Sequence, residues 1–145
     1  MKVKIKKLND FATIPQYATD GAAGMDFTAV SRTYDDDGNV VYGTGLAFEI
    51  PEGYVGLLFP RSSNAKKDLL LSNSVGVIDS DYRGEVSFKF KSTYCDNQDD
   101  MDRLYNVGDR VGQMIIIPYP HIEWEQVAEL SETKRGKGGY GHTGK

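Results

Sequence analysis

An alternation of apolar and polar residues with a period of two is the feature that most constrains the fold of this chain. It occurs in five segments, the last less regular than the others: 3–6, 46–50, 54–59, 86–90 and 111–117. Turn-forming stretches such as Pro51-Glu52-Gly53 separate them. Strands that bury one face alternate in this way, and many short strands between turns are typical of a sandwich, barrel or jelly roll. The pattern therefore predicts an all-β fold.

Two local patterns refine this prediction. Residues 34–42 resemble a β-hairpin, because Asp37-Gly38 is a favoured hairpin tip. The acidic residues Asp35 to Asp37 are interpreted as a solvated turn, with a calcium site as the less favoured alternative. Residues 62–70 are the one stretch that looks helical, since cap residues come first and lysines late. We therefore expect one short helix among many strands.

The chain length indicates a single domain with a mobile end. A chain of 145 residues can bury a sufficient core without disulfides or metals. The content of 39% hydrophobic and 26% charged residues is ordinary for a soluble globular protein. Glycine becomes frequent after Lys134. We therefore expect a folded domain over 1–133 and a glycine-rich C-terminal arm over 134–145.

Composition argues against several classes of function. A net charge of −4 lacks the broad basic field of a duplex-binding protein, so no direct nucleic-acid partner is expected. One cysteine, Cys95, and two distant histidines supply no zinc cluster. The N-terminal residues do not resemble a signal peptide, and no apolar run is long enough to cross a membrane. We expect a reducing, cytoplasmic location, or the host cytoplasm if the protein is viral.

A polar turn between two apolar segments is the main candidate for chemistry. Residues 76–86 read Gly-Val-Ile-Asp-Ser-Asp-Tyr-Arg-Gly-Glu-Val. An apolar strand enters this turn and an alternating strand leaves it, so rigid elements would present two carboxylates, a tyrosine and an arginine. Taken alone, the segment is explained at least as well by a solvated turn.

Four further segments have residue types suited to a phosphorylated ligand. A lone acid follows small residues in Ala-Ala-Gly-Met-Asp-Phe at 22–27, where backbone can approach a ligand closely. Pro-Arg-Ser-Ser at 60–63 combines N–H groups, hydroxyls and an arginine, which bind anions. Gln113 lies in an apolar strand, where a buried amide needs partners. Residues 134–145 carry glycines that can surround a phosphate. In the same order, the alternative explanations of these four segments are a turn cap, a helix N-cap, a hydrogen bond within the core and a disordered tail.

Taken in order, these five segments resemble the five motifs of the trimeric deoxyuridine triphosphatase (dUTPase) family. The most specific are 76–86 and Arg-Gly-x-Gly-Gly-Tyr-Gly-x-Thr-Gly at 135–144. The resemblance implies a jelly roll, or distorted β-barrel, that forms a homotrimer with active sites shared between subunits. It implies hydrolysis of dUTP to dUMP and pyrophosphate with Mg²⁺, which limits uracil incorporation into DNA and supplies dUMP for dTMP synthesis.

The resemblance also implies roles for single residues. Asp79 is expected to be the general base that activates the attacking water, and Asp26 to contact Mg²⁺ through water. Tyr82 is expected to pack under deoxyribose and exclude a 2′-OH, while Asn73 and the backbone from Gly76 bind uracil. Tyr140 would stack on uracil. The other substrate-binding candidates are Arg61, Ser62, Ser63, Gln113, Arg135, Gly138, Gly139, Gly141, His142 and Thr143.

Some residues depart from the usual motifs of the family. Ser63-Asn64 stands where Gly-Leu is common, Gly112 where alanine is usual, and His142 where serine is common. We interpret Gly112 as a change that loosens its strand. Arg-Ser-Ser is closer to the dCTP deaminases, so a dCTP deaminase-related enzyme is the alternative function, and a nucleotide-binding regulatory protein is another.

Two arginines have open roles. Arg61 is expected to support the phosphate site, and orienting Asp26 across a subunit boundary is a second possible role. Arg83 is interpreted as a subunit contact and left out of the site.

Overall fold

The structure, a computed structural model, describes residues 1–93 and 103–140. These residues form eleven β-strands and a 3-10 helix at Ser62–Lys66. In chain order the strands are β1 (Lys4–Lys7), β2 (Gln16–Tyr17), β3 (Met25–Thr28), β4 (Ser31–Tyr34), β5 (Val40–Gly43), β6 (Leu46–Glu49), β7 (Tyr54–Phe59), β8 (Leu69–Leu71), β9 (Gly76–Ile78), β10 (Ser87–Ser92) and β11 (Arg110–Pro118).

The described strands form three antiparallel sheets. Their strand orders are β1-β6, β4-β5-β10-β8 and β2-β3-β11-β7-β9. Each of the five alternating segments became a strand, with ends that lie within two residues of the alternation. The predicted all-β fold is therefore confirmed. Among the described strands, no hydrogen-bonded pairing joins one sheet to another, so the sheets do not close into a barrel.

The predicted helix is shorter than the sequence suggested. Only Ser62–Lys66 is helical, as a 3-10 helix, and Lys67 already has an extended backbone. Leu69 and Leu71 are buried, and β8 pairs with β10 from Leu71↔Phe90 to Ser92↔Leu69. Burial of these leucines in a sheet outweighs the weak helical preference of the segment.

Aromatic side chains hold the two larger sheets together. Phe27 of β3 lies 5.8 Å from Phe88 of β10, measured between ring centroids, and 5.6 Å from Phe48. Within the four-stranded sheet, Tyr42 of β5 contacts Phe90 of β10 edge-on, with 5.9 Å between ring centroids. These rings are buried in one continuous core, where each aromatic side chain contributes a large apolar area.

Gly112 in β11 makes room for this core. An ideal Cβ at residue 112 would stand 2.0 Å from Cε1 of Phe88, far inside any normal contact distance. The interpretation that Gly112 loosens its strand is wrong, because the missing side chain admits the buried Phe88 ring.

The predicted hairpin at 34–42 is confirmed by the pairing of β4 with β5. Gly38 at its tip has φ +76°, a left-handed conformation that suits glycine. The Asp35 carboxylate accepts the backbone N–H groups of Asp37 and Asn39 at 3.1 and 2.8 Å and pairs with Lys89 at 2.8 Å. These protein donors favour the interpretation of the tip as a turn. The hydrogen bond from Lys89, followed by those from Asn39, lowers the Asp35 pKa from 3.8 to about 2.

The chain leaves the sheets after β11. Residues 119–140 form neither helix nor strand and are almost all exposed. Trp124 and Leu130 are 91% and 88% exposed. Large apolar side chains on this continuous segment are thus open to water. Within the described residues, no helix has the length and apolar character to span a membrane.

Candidate active site

The predicted site residues lie in three groups in a single chain. The first is the turn cleft, formed by Asn73, Gly76, Asp79 and Tyr82. The second is the arginine–carboxylate cluster, defined by Asp26, Arg61, Ser63, Arg110 and Gln113. The third is the arm, residues 134–140.

The turn cleft begins where β9 ends. Asp79 follows Ile78 directly, and the Tyr82 N–H donates to the Asp79 carbonyl at 3.2 Å, which closes a four-residue turn. The Arg83 guanidinium donates to the carbonyls of Ser80 and Tyr82 at 2.7 and 3.0 Å. In this chain Arg83 therefore braces the turn itself.

Four predicted residues line the same cleft. Asn73, Gly76, Asp79 and Tyr82 surround a cavity of about 250 Å³. Asp79 and Tyr82 are exposed, and the Tyr82 hydroxyl donates to the Glu85 carbonyl at 3.0 Å. Glu85 is anchored in turn, since its Oε1 accepts the Gly45 N–H at 2.7 Å. Tyr82 is thus held through its backbone N–H and its hydroxyl, while its side chain stays 44% exposed.

A strained bend beside Asn73 was missed at the sequence level. Ser74 has φ +61°, and the Val75 N–H donates to the Asn73 carbonyl at 2.6 Å. This is a γ-turn of the rare kind with positive φ, and a non-glycine residue there costs about 1–2 kcal/mol. Strain of this kind is concentrated at ligand sites. Only backbone geometry reveals it, because serine is not a residue that signals positive φ.

The arginine–carboxylate cluster is centred on Asp26 in β3. Arg61 Nε donates to Asp26 Oδ1 at 2.9 Å, and Arg110 Nη1 donates to Oδ2 at 3.0 Å. The Asp26 side chain is only 17% exposed. The contact of Arg61 with Asp26 lies within one chain, so the alternative of a contact across a subunit boundary is not needed to explain it.

Arg110 is the residue of this cluster that the sequence did not assign. It begins β11, three residues before Gln113, and a β-bulge between Arg110 and Gly112 shifts the pairing with β3. A bulge re-aims the side chains beside it. The signal in the sequence was that Arg110, like Arg61, Arg83 and Arg135, stands beside glycine, serine or apolar residues instead of in a run of charges.

The donor set around Asp26 limits how a metal could be held. Each Asp26 oxygen already accepts from one guanidinium. Across the residues that the structure describes, no three His, Cys, Asp or Glu side chains come together as a metal site. A carboxylate still has lone pairs for water after accepting two hydrogen bonds. These residues therefore fit a metal ion that enters the site already bound to a ligand and that Asp26 contacts through water.

Gln113 links the cluster to the segment before the 3-10 helix. Its Nε2 donates to the Pro60 carbonyl at 3.0 Å. A Cβ on Gly24 would stand 2.4 Å from Gln113 Oε1, so the glycine leaves room for the amide. Gln113 also pairs with Asp26 in the sheet. The Gln113 amide thus holds the backbone of Pro60, the residue directly before Arg61, in place.

Ser62 and Ser63 do not cap the helix that they begin. The N-cap position is Arg61, and no side chain caps this 3-10 helix. Arg61 Nη1 instead donates to Ser63 Oγ at 3.2 Å, and Ser62 is exposed. The N-cap interpretation of these serines is therefore wrong.

The described part of the arm is folded back on itself by local hydrogen bonds. Arg135 Nε donates to the Gly138 carbonyl at 2.8 Å, and the Gly138 N–H donates to the Arg135 carbonyl at 3.0 Å. Gly139 and Tyr140 are exposed. The predicted site residues Gly141, His142 and Thr143 lie outside the described residues.

The turn cleft and the arginine–carboxylate cluster are separated by one strand of the five-stranded sheet. Strand β7 lies between them, pairing with β11 on one side and β9 on the other. A spacing of about 4.8 Å between neighbouring strands puts β11 and β9 roughly 10 Å apart.

Comparison with known proteins identifies the family. A family model described as dUTPase matches residues 10–144. The chain belongs to the dUTPase family. A deoxyuridine 5'-triphosphate nucleotidohydrolase of Hydrogenobaculum sp. is 40% identical over 150 aligned positions, covering 99% of each chain. The enzyme of the same name from Rickettsia prowazekii is 38% identical and covers 99% of this chain and 97% of its own.

Solved dUTPase structures have the same fold. The dUTPase of Staphylococcus bacteriophage 80alpha with dUPNHPP superposes with a TM-score of 0.83 at 28% identity, covering 99% of this chain and 98% of that chain. A mutant dUTPase of S. aureus phage phi11, which coordinates a structural Mg(II) ion, gives a TM-score of 0.74 at 26% identity, covering 89% and 98%. The expected dUTPase-like architecture is thus confirmed.

Proposed function

We propose that this chain hydrolyses dUTP to dUMP and pyrophosphate. As a member of the dUTPase family it is an enzyme, a dUTP diphosphatase. The observation that carries the proposal is the turn cleft, in which Asn73, Gly76, Asp79 and Tyr82 surround one cavity. A carboxylate, an amide and an aromatic face around a small cavity suit a nucleoside whose phosphate chain projects outward.

Asp79 acts as the general base in this proposal. Its exposed carboxylate takes a proton from a water molecule, and the water oxygen attacks the α-phosphorus of dUTP. The bond from the α-phosphorus to the bridging oxygen breaks, and pyrophosphate leaves with that oxygen. The closed turn holds Asp79 beside the cleft, which supports attack from a fixed direction.

Tyr82 and Asn73 select the nucleoside. The Tyr82 ring, fixed through its hydroxyl to Glu85, lies under deoxyribose and leaves no room for a 2′-OH. The Asn73 side chain and the backbone from Gly76 to Tyr82 bind the edge of uracil. Close approach of this backbone excludes the methyl group of thymine.

The arginine–carboxylate cluster binds the phosphates. Arg61, Ser62, Ser63 and Gln113 supply donors, and Arg110 helps to hold Asp26 in place. When bound to the triphosphate, Mg²⁺ neutralises charge and orients the chain of phosphates. Asp26 would hold this ion through water, which agrees with a carboxylate whose oxygens already accept two guanidinium hydrogen bonds.

A homotrimer brings the three groups together. The cluster and the turn cleft lie on different strands of one chain, and apolar residues at 119–130 are exposed, which supports sites shared between subunits. The arm closes over the triphosphate as a mobile lid over 134–145. Tyr140 stacks on uracil, and the phosphate contacts come from Arg135, Gly138, Gly139, Gly141, His142 and Thr143.

In the cell this activity removes dUTP before it is incorporated into DNA and supplies dUMP for dTMP synthesis. A cytoplasmic location, where dUTP and Mg²⁺ are at hand, fits a chain with a single cysteine.

Deamination of dCTP is the second candidate, because Ser63 departs from the dUTPase pattern. The experiment that tests both is a nucleotide panel with Mg²⁺. Pyrophosphate release from dUTP, with little from UTP, dTTP or dCTP, is expected. Ammonia release from dCTP would favour the deaminase, and no reaction with any of the four would favour a binding protein.

A further inference from the structure

Both departures next to Arg61 make contacts that the usual glycine and leucine cannot make. Asn64 Nδ2 donates to the Leu69 carbonyl at 2.8 Å, and its Oδ1 accepts the Tyr105 hydroxyl at 3.3 Å. Ser63 Oγ accepts from Arg61 Nη1 at 3.2 Å. The Ser63 side chain is thus hydrogen-bonded to Arg61, and the Asn64 side chain to Leu69 and Tyr105.

Tyr105 is held in place by its contacts in the core. It is 4% exposed, and its own backbone N–H and carbonyl both bond to the buried Tyr42 hydroxyl at 3.0 Å. Its ring packs against Tyr42 at 5.9 Å and Phe90 at 6.0 Å between centroids. The Lys67 ammonium lies 5.4 Å from the ring centre. Burial raises the pKa of Tyr105, so its hydroxyl stays protonated and remains a donor near neutral pH.

The phosphate-binding turn needs such a fixed point. Its 3-10 helix has five residues, no side-chain cap and no buried residue. Short 3-10 segments have poor hydrogen-bond geometry and little stability of their own. The contacts from Tyr105 through Asn64 reach this turn, and Ser63 and Arg61 continue the path to Asp26.

We infer that Tyr105 is a positioning residue for the phosphate side of the active site. Its hydroxyl holds Asn64, and Asn64 holds Ser62, Ser63 and Arg61 in the arrangement that receives the triphosphate. This inference rests on the proposed function. It concerns Tyr105, which lies outside the five motifs, and it gives the departure at Asn64 a role.

The test compares Tyr105→Phe, Asn64→Leu and the double variant with the wild-type protein. The assays are pyrophosphate release from dUTP, binding of an α,β-imido analogue of dUTP, and binding of deoxyuridine. Thr44→Val is the matched control, since it removes a buried hydroxyl that donates to the Val86 carbonyl instead of to residues 61–66.

We expect each single variant to weaken binding of the imido analogue and to raise KM by about twofold to tenfold, as the loss of one or two hydrogen bonds predicts. The double variant should be no worse than Asn64→Leu alone, because that change already removes the hydrogen bond from the Tyr105 hydroxyl. Deoxyuridine affinity should stay unchanged. Thr44→Val should lower stability without changing the affinity for the analogue.

The outcomes separate this inference from the proposed function. If the wild-type protein releases no pyrophosphate from dUTP, the proposed function fails and the inference fails with it. If the wild-type protein is active and both single variants keep wild-type affinity and KM, only the positioning role of Tyr105 is overturned. An equal loss of deoxyuridine affinity would show general disruption and would also overturn it. Asn64→Leu keeps the test decisive if Tyr105→Phe does not fold.

Discussion

Gly112→Ala should destabilise this protein, although it restores the residue that the dUTPase family usually has. The added Cβ would stand 2.0, 2.4 and 2.6 Å from Cε1, Cδ1 and Cζ of Phe88. Favourable carbon–carbon contacts lie near 3.5–4.0 Å, so the ring or β11 must move by more than 1 Å. Phe88 is fully buried and packs against Phe27, so the ring cannot move alone.

The expected cost is at the upper end for overpacking, about 3 kcal/mol. Three ring atoms clash at once, and the ring has buried neighbours instead of solvent on its other side. For a domain of this size each kcal/mol lowers the Tm by roughly 2–4 °C, so we expect a fall of roughly 6–12 °C. Since β11 also carries Arg110 and Gln113, kcat/KM for dUTP should fall as well.

The assay is thermal and urea unfolding at one fixed protein concentration, since assembly makes the Tm depend on concentration. Gly21→Ala is the control, because nothing lies within 4 Å of a Cβ at Gly21. In a Phe88→Leu background the cost of Gly112→Ala should shrink by more than half, since the clashing ring atoms are gone. Equal stability of Gly112→Ala and Gly21→Ala would refute the reasoning.

Three further predictions concern the turn, the arm and the hairpin. Asp79→Asn should lower dUTP turnover by about 10²–10⁴-fold while it keeps affinity for the imido analogue; undiminished pyrophosphate release would remove Asp79 from its role as base. Deleting residues 135–145 should leave the circular dichroism spectrum and the oligomer intact but greatly reduce turnover, and a fully active truncated protein would show that the arm is no lid. Because folding lowers the Asp35 pKa from 3.8 to about 2, its stabilising effect is present above about pH 4 and is lost as the pH falls towards 2. Asp35→Asn should flatten urea-unfolding stability over that range, and an unchanged acid dependence would contradict this origin.

The turn shows how far sequence reasoning can reach. Residues 76–86 stand consecutively in the chain, so their residue types and order by themselves indicate a site. The closing hydrogen bond from Tyr82 to Asp79 is local as well. The positive φ of Ser74 could not be predicted, because the strain depends on how β8 and β9 are held by their separate sheets.

Contacts between distant residues account for the other differences. Arg110 is 84 positions from Asp26 in the sequence, and Tyr105 is 41 positions from Asn64. No periodicity or motif relates such positions. Their partnership follows from the pairing of β11 with β3 and from the packing of Tyr105 in the core.

The sequence by itself determined the strands of the five alternating segments and the family of this protein, since alternation and motif order are properties of neighbouring residues. Tertiary structure decided that Leu69–Leu71 pairs as a strand instead of extending a helix, and that Gly112 admits Phe88. It also decided that Asp26 lies between two arginines of its own chain. The physical reason is the same in each case: burial and hydrogen bonding are settled between surfaces that meet only after the chain has packed.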